Sequence, residues 1–80
     1  MRLDKWLKIS RLIKRRTVAH EACDSERVWV SGRPQRASYD VKVGDVIELH
    51  LGPRVTRIEV LAIDETARKD EAAGLYRELP

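Results

Sequence analysis

The chain has 80 residues, a length that suits one domain with a single small hydrophobic core. Hydrophobic residues make up 42% of it and charged residues 36%, a composition typical of a folded domain rather than of a disordered chain. Apolar runs are only a few residues long, so neither a membrane span nor the apolar part of a secretion signal is predicted. Cys23 is the only cysteine, which excludes an internal disulfide and predicts a small packed hydrophobe.

Positive charge is concentrated at the N-terminus. Residues 1–16 carry seven basic side chains and one acidic side chain, a net charge of +6, whereas the whole chain has +3. Residues 17–80 therefore carry a net charge of −3. Basic side chains one helical turn apart repel each other, and a polyanion would relieve that repulsion. The pattern favours the phosphate backbone of a nucleic acid as partner.

A solvated face and a membrane-surface helix are the alternatives to RNA binding for the basic segment. Charge runs on amphipathic helices are often only solvated faces, although such faces usually mix both signs. A basic amphipathic helix can also lie on a membrane surface. Because the apolar stripe here is narrow and a domain of this size needs it for the core, we expect no membrane partner.

Two short helices are predicted within the first 24 residues. Leu3, Trp6 and Leu7 recur at helical spacing, and a second apolar stripe follows at residues 18–23. We place the break within residues 10–15, because one straight helix would carry the apolar side chains at 12 and 13 away from both stripes. The second stripe consists of Val18, Ala19, Ala22 and Cys23.

The pattern changes to strand alternation from residue 27. Residues 27–31 alternate and end at the turn signal Gly32-Arg33-Pro34, and a further short strand is predicted near Arg36-Ala37. Residues 46–51 and 54–63 are two longer β-rich runs on either side of a Gly-Pro turn, which predicts a long hairpin. The sheet is expected to be small and antiparallel or mixed.

A C-terminal helix is predicted beyond residue 64. Asp64 or Thr66 is its candidate N-cap, and apolar residues at helical spacing would lie on the sheet. The expected order is α-α-β-β-β-α in one α+β domain over residues 1–80. The apolar face of the C-terminal helix would be Ala72, Leu75, Tyr76 and Leu79.

Nothing in the chain has the pattern of a catalytic or metal site. His20 and His50 lie in no metal-ligand motif, no serine lies in a nucleophile motif, and no glycine-rich phosphate loop occurs. We therefore expect no catalytic residue, no metal and no cofactor. Trp6 belongs to the first apolar stripe, whereas Trp29 alternates away from its apolar neighbours and is the better candidate for an exposed ring that stacks on a base.

Three segments in this order resemble the S4 RNA-binding domain family, whose signature is the αL motif. They are RLDKWL at residues 2–7, VWVSG at residues 28–32 and VKVGDVI at residues 41–47. The resemblance covers residues 2 to about 51 and implies an S4-like fold. The chain departs from the family pattern at residues 24–26, where a glycine-containing helix end is common, and at Ser31, where asparagine is frequent.

A resemblance to one branch of the family runs nearly end to end. MRLDKWLKISRLIKRRT at residues 1–17, with RKDEAAGLY at residues 68–76, is similar to the RqcP family, the stand-alone bacterial S4 proteins of ribosome-associated quality control. This resemblance implies a cytoplasmic, non-enzymatic protein that contacts large-subunit rRNA and the peptidyl-site tRNA on obstructed large ribosomal subunits. It also implies support of C-terminal alanine tailing by an RqcH-type partner. We expect the chain to be a monomer.

The resemblance and the charge pattern together assign the candidate site. By position, two arginines that flank the first helix are expected to grip the rRNA, and the neighbouring basic residues surround them. The predicted RNA-binding residues are Arg2 and Arg16, with Lys5, Arg11, Lys14 and Arg15 around them.

Three rival functions follow from the same features. The first is the related heat-shock ribosome factor that binds released large subunits, ranked second because the long basic C-terminal extension of those proteins is absent here. The second is an accessory domain of an rRNA pseudouridine synthase or methyltransferase, which predicts a catalytic partner domain. The third is a helix-turn-helix DNA-binding protein, and the β-hairpin and the RLD opening argue against it.

Overall fold

A computed structural model describes residues 1–80, in which two helices and a five-stranded sheet enclose one hydrophobic core. The sheet order is β2-β1-β3-β4-β5, and every neighbouring pair of strands is antiparallel. The predicted α+β fold class is therefore confirmed. The elements are α1 (Leu3–Ile9), α2 (Arg16–Asp24), β1 (Val28–Val30), β2 (Arg33–Pro34), β3 (Val46–Leu49), β4 (Thr56–Val60), a 3₁₀ helix (Ala72–Leu75) and β5 (Tyr76–Glu78).

The predicted hairpin forms from β3 and β4, and its register places apolar residues opposite each other. Ile47 lies opposite Ile58, and both side chains are fully buried. Because strand residues alternate between faces, Glu48 of β3 points to the other face, opposite Arg57. The inward-facing residues of β1, β3 and β4 are Val28, Val30, Ile47, Leu49, Ile58 and Val60.

The first apolar stripe packs as predicted. Leu3, Trp6 and Leu7 have no exposed surface, and the Trp6 indole Nε1–H donates a hydrogen bond to the Ala62 carbonyl oxygen at 3.1 Å. This bond ties α1 to the segment that follows β4. A buried indole with its N–H satisfied anchors the core.

The second apolar stripe is buried as predicted, except at Val18. Ala19, Ala22 and Cys23 are buried, but Val18 is 48% exposed because it faces away from α1 and the sheet. Burial, with the negative charges of Asp4 and Asp24, raises the pKa of the Cys23 thiol to about 11. Cys23 is thus a packed apolar residue, as expected, rather than a reactive thiolate.

The break between the helices falls where it was predicted, although no glycine or proline marks it. Arg11 adopts the left-handed conformation, with φ of 62°, directly after the C-cap residue Ser10. The chain then turns so that the Ile13 N–H donates to the Leu7 carbonyl oxygen at 3.2 Å and the Ile13 side chain enters the core. This non-glycine left-handed residue replaces the glycine that commonly ends a helix.

The predicted C-terminal helix is wrong. Residues 61–71 are irregular, and the chain then forms the 3₁₀ turn and β5, which pairs with β4. Asp64 accepts hydrogen bonds from the backbone and hydroxyl of Thr66 in a local turn, at 2.9 and 2.8 Å, and does not cap a helix. Pairing with the free edge of β4 satisfies backbone groups that a separate helix would leave exposed. Of the predicted apolar face, Ala72 and Leu75 are buried.

The short strand predicted near Arg36-Ala37 also needs correction. The strand that pairs with β1 is β2, where Arg33 lies opposite Val30 and Pro34 opposite Trp29. Proline has no N–H and is confined to sheet edges, and β2 is the edge strand here.

The end of α2 shows how the chain departs from the family pattern without losing the helix cap. Glu26 has φ of 60°, in the left-handed region, and its N–H donates to the Cys23 carbonyl oxygen at 3.0 Å. The next N–H, of Arg27, donates to the Ala22 carbonyl oxygen at 2.9 Å. A glutamate thus holds the conformation that glycine adopts at low cost.

We expect Glu26→Gly to stabilise the protein by about 0.5–1 kcal/mol, because glycine removes the steric cost of the left-handed conformation. The greater entropy of glycine in the unfolded chain opposes part of this gain. Urea denaturation monitored by circular dichroism measures the change. Ser25→Gly is the matched control, since Ser25 has φ of −88° and gains nothing from glycine. A stabilising Ser25→Gly, or a destabilising Glu26→Gly, would contradict the prediction.

Candidate RNA-binding surface

A single buried carboxylate joins the beginnings of the two helices. Asp4 is 2% exposed, and its Oδ1 accepts hydrogen bonds from Arg2 Nε at 3.2 Å and from the Lys5 N–H at 2.8 Å. Its Oδ2 lies 3.3 Å from Arg2 Nη2 and 3.5 Å from Arg16 Nε. Arg2 directly precedes α1, and Arg16 is the first residue of α2. The two arginines expected to bind RNA therefore both contact the Asp4 carboxylate.

Asp4 stays ionised at neutral pH. Burial alone would raise its pKa, but the Arg2 hydrogen bond, the Arg16 charge and the Lys5 backbone N–H together hold it below the ordinary 3.8. The same pairing raises the pKa of Arg2. The cluster of one carboxylate and two guanidiniums consequently keeps a net positive charge.

Acid should weaken the fold through this carboxylate. Because the pKa of Asp4 is lower in the folded protein than in the unfolded chain, its contribution is complete above about pH 4 and is lost as pH falls through the folded pKa. We expect the free energy of unfolding to fall below pH 4 in the native protein and less steeply in Asp4→Asn. Asp40 and Asp64 also have lowered pKa values, so part of the slope remains. Urea denaturation from pH 2.5 to 7 measures both curves, and equal slopes would contradict the prediction.

The other predicted site residues have different surroundings. Lys5 Nζ donates to Glu65 Oε1 at 3.0 Å, which joins α1 to the segment after β4. Arg11, Lys14 and Arg15 are exposed on the connection between the helices and make no ion pair. The structure thus brings Arg2 and Arg16 together, pairs the Lys5 side chain with Glu65 while its backbone N–H binds Asp4, and leaves the other three cations free in solvent.

An open cavity of about 510 Å³ lies over the arginine pair. Its lining is formed by Arg2, Asp4, Arg16, Thr17 and His20. Sequence reasoning missed Thr17 and His20 as site residues. A usable signal existed, since residues 16 and 20 are one turn apart on a helix and share a face.

A second cavity, of about 530 Å³, adjoins the first and shares Arg2 and His20 with it. It runs between the C-terminal half of α2 and residues 34–38, where it adds the cationic side chain of Arg36. Asp24 and Glu26 also line it, so positive charge is densest at the Arg2–Arg16 end.

Trp29 is less available for stacking than its position suggests. Its ring is half-buried and stacks on His50, with ring centroids 5.1 Å apart and planes 24° from parallel. Its Nε1–H donates to the Glu26 carbonyl oxygen at 2.8 Å. One face of the indole is therefore covered by a neighbour in the free protein.

Metal-binding clusters and membrane-spanning helices are both absent from the structure. No group of three His, Cys, Asp or Glu side chains is arranged to hold a metal ion. None of the helices has the length and apolar character that a membrane crossing requires. Positive charge around the Asp4 cluster is the feature left to explain.

Comparison with known proteins identifies the class first. The S4 domain model matches residues 1–47, which contain α1, α2, β1, β2 and all five residues that line the cavity over Arg2 and Arg16. The chain belongs to the S4 domain family, and the expected S4-like fold is confirmed.

Individual relatives narrow the comparison within that family. The chain is 46% identical over 76 residues to the RQC P-site tRNA stabilizing factor of Streptococcus pneumoniae, covering 95% of this chain and 86% of the relative. The factor of the same name from Bacillus subtilis is also 46% identical, with 95% and 88% covered. Heat Shock Protein 15 of Vibrio cholerae, whose solved structure is trimeric, superposes with a TM-score of 0.91 at 34% identity, covering 99% of this chain and 81% of that one. The predicted resemblance to the ribosome quality-control branch is confirmed.

Proposed function

We propose that this protein is a non-enzymatic ribosome quality-control factor that binds large-subunit rRNA and stabilises the peptidyl-site tRNA on obstructed large ribosomal subunits. The observation that carries the proposal is the pairing of Arg2 and Arg16 on Asp4, at 3.2 and 3.5 Å, in a chain similar over 95% of its length to proteins named RQC P-site tRNA stabilizing factor. Two guanidiniums presented side by side suit the phosphate backbone of folded RNA.

The proposed mechanism is occupancy rather than chemistry. Arg2 and Arg16 take rRNA phosphate, and the exposed Arg11, Lys14 and Arg15 extend the positive surface along the connection between the helices. Lys5 adds charge beside the pair once its exposed ion pair with Glu65 exchanges for phosphate, an exchange that costs little because surface ion pairs are weak. The bound domain then blocks departure of the tRNA.

The same proposal includes a cellular setting. The protein acts in the cytoplasm, as a monomer on the ribosome, and supports alanine tailing by an RqcH-type partner. The end-to-end similarity to tRNA stabilizing factors supports this setting. No cofactor takes part.

Recovery of the tagged protein from its own cells tests the proposal. We expect it to sediment with large ribosomal subunits, to bring a tRNA with it, and to lose both when Arg16 is changed to alanine. Loss of the gene should shorten or abolish C-terminal alanine tails, and the native gene should restore them. Association with small subunits, or with RNA-free proteins only, would overturn the proposal.

A second candidate is a heat-shock ribosome factor, which the superposition on Heat Shock Protein 15 favours at a TM-score of 0.91. The two candidates differ in their dependence on the tailing partner. A factor of the second kind would bind large subunits whether or not the tailing partner is present. Deletion of its gene would leave alanine tails unchanged. The higher identity, 46% against 34%, supports the first candidate.

A further inference from the structure

We infer that Asp4 is a positioning residue, which holds Arg2 and Arg16 as a preformed pair that takes a single RNA backbone phosphate in the cavity they share with Thr17 and His20. The inference rests on the proposed function and adds to it the acid that builds the site and the ligand, one phosphodiester. Asp4 itself touches no RNA in this arrangement.

The contrast in exposure supports a positioning role. Asp4 is 2% exposed, whereas the side chains of Arg2 and Arg16 are 46% and 49% exposed. Asp4 therefore meets both arginines from the protein side, Arg2 through Nε and Nη2 and Arg16 through Nε, and about half of each arginine side chain remains exposed to solvent. Because both arginines bind one carboxylate, their guanidiniums lie close enough for the two free oxygens of one phosphodiester.

Preorganisation gives this arrangement its energetic value. A free arginine on a surface samples many rotamers and loses that freedom when it binds phosphate. Asp4 fixes both side chains before RNA arrives, so binding loses less entropy. The Lys5 N–H bond to Oδ1 at 2.8 Å fixes the carboxylate in turn.

Two side chains complete the cavity around the phosphate. Thr17 follows Arg16 on α2 and can donate its hydroxyl, and His20 lies one turn further along. His20 Nδ1 is 3.1 Å from Asp24 Oδ2, which orients its ring. The cavity of about 510 Å³ is open to solvent, as a site for part of a polymer must be.

Asp4→Asn separates a positioning role from a purely electrostatic one, because the two roles predict opposite changes in RNA affinity. Removing a negative charge beside two cations that face phosphate should strengthen RNA binding if charge alone matters. If Asp4 positions the arginines, the neutral amide holds the two guanidiniums less firmly than the carboxylate does. Affinity for purified large ribosomal subunits should then fall about three- to tenfold. Glu21→Gln is the matched control: it makes the same charge change on an exposed α2 residue one turn beyond Thr17, and it should leave binding unchanged or slightly tighter.

A background without the arginines provides the second arm. In Arg2→Ala/Arg16→Ala, Asp4→Asn should no longer weaken binding, since nothing remains for it to position. Tighter binding by Asp4→Asn in the native background would overturn the inference while leaving the proposed function intact. If Arg2→Ala/Arg16→Ala bound large ribosomal subunits as tightly as the native protein, the proposed function would be overturned.

A measurement on the native protein covers the case in which Asp4→Asn does not fold. We expect the Nε–H NMR signals of Arg2 and Arg16 to be resolved from those of the other arginines in the free protein, because Arg2 Nε–H donates to Asp4 Oδ1 and Arg16 Nε lies 3.5 Å from Asp4 Oδ2. A short single-stranded RNA should shift the two signals together with one saturation curve. Signals at the solvent-exposed position, or two independent curves, would overturn the inference.

Discussion

Trp6→Ala should lower the stability of this protein by about 3–5 kcal/mol, which is a large part of the total for so small a domain. Trp6 is fully buried, so the substitution removes the largest side chain of the core and leaves a cavity between α1 and the sheet. It also removes the donor to the Ala62 carbonyl oxygen, and with it the tie to the segment after β4. Thermal unfolding followed by circular dichroism should show a melting temperature lower by at least about 12 °C.

Two further variants separate the contribution of the Trp6 side-chain volume to stability from that of its hydrogen bond. Trp6→Phe keeps most of the ring and loses the Nε1–H donor, so we expect a smaller loss of about 1–2 kcal/mol. Trp29→Ala is the control at the other tryptophan, which is half-buried and packs on His50 at the sheet surface, and it should cost about 1 kcal/mol. Equal losses for Trp6→Ala and Trp29→Ala would show that Trp6 does not anchor the core.

Local periodicity accounts for what could be predicted from the sequence. Apolar residues at positions 3, 6 and 7 and the alternation in β3 and β4 are properties of neighbouring residues, so both helices and the hairpin were predicted correctly. The helix break was placed correctly for the same reason, although its cause, a left-handed Arg11, has no signature in composition.

Long-range pairing accounts for what the sequence did not reveal. Residues 72–79 contain good helix formers, but the free edge of β4 selects a strand, a choice that depends on partner residues 16 to 20 positions earlier in the chain. Asp4 was seen only as the lone acid in a basic segment, because its bond to Arg16 spans twelve positions and exists only once α2 packs beside α1. The charge pattern identified the cations of the site, and tertiary packing revealed how they are held.

Arg2→Ala/Arg16→Ala should weaken binding to purified large ribosomal subunits by about 100-fold at moderate salt. Hydrogen bonds to charged groups contribute about 1.5–3 kcal/mol each, and the lower end applies to half-exposed side chains, so two of them give about 3 kcal/mol. Folding should survive, because neither arginine belongs to the hydrophobic core. Asp4 loses both partners and is left buried beneath the surface, so a moderate loss of stability is expected and must be measured beside the affinity.

The salt dependence of the same variant counts the phosphates involved. Each neutralised phosphate contributes roughly 0.7–0.9 to the slope of log affinity against log salt. If the two arginines share one phosphate, the double variant should reduce the slope by about that amount, and by about twice as much if each takes its own. Arg54→Ala/Arg68→Ala is the control matched in charge, since both pairs lower the net charge from +3 to +1. Equal losses of affinity in the two double variants would mean that net charge, rather than the Asp4-centred pair, determines RNA binding.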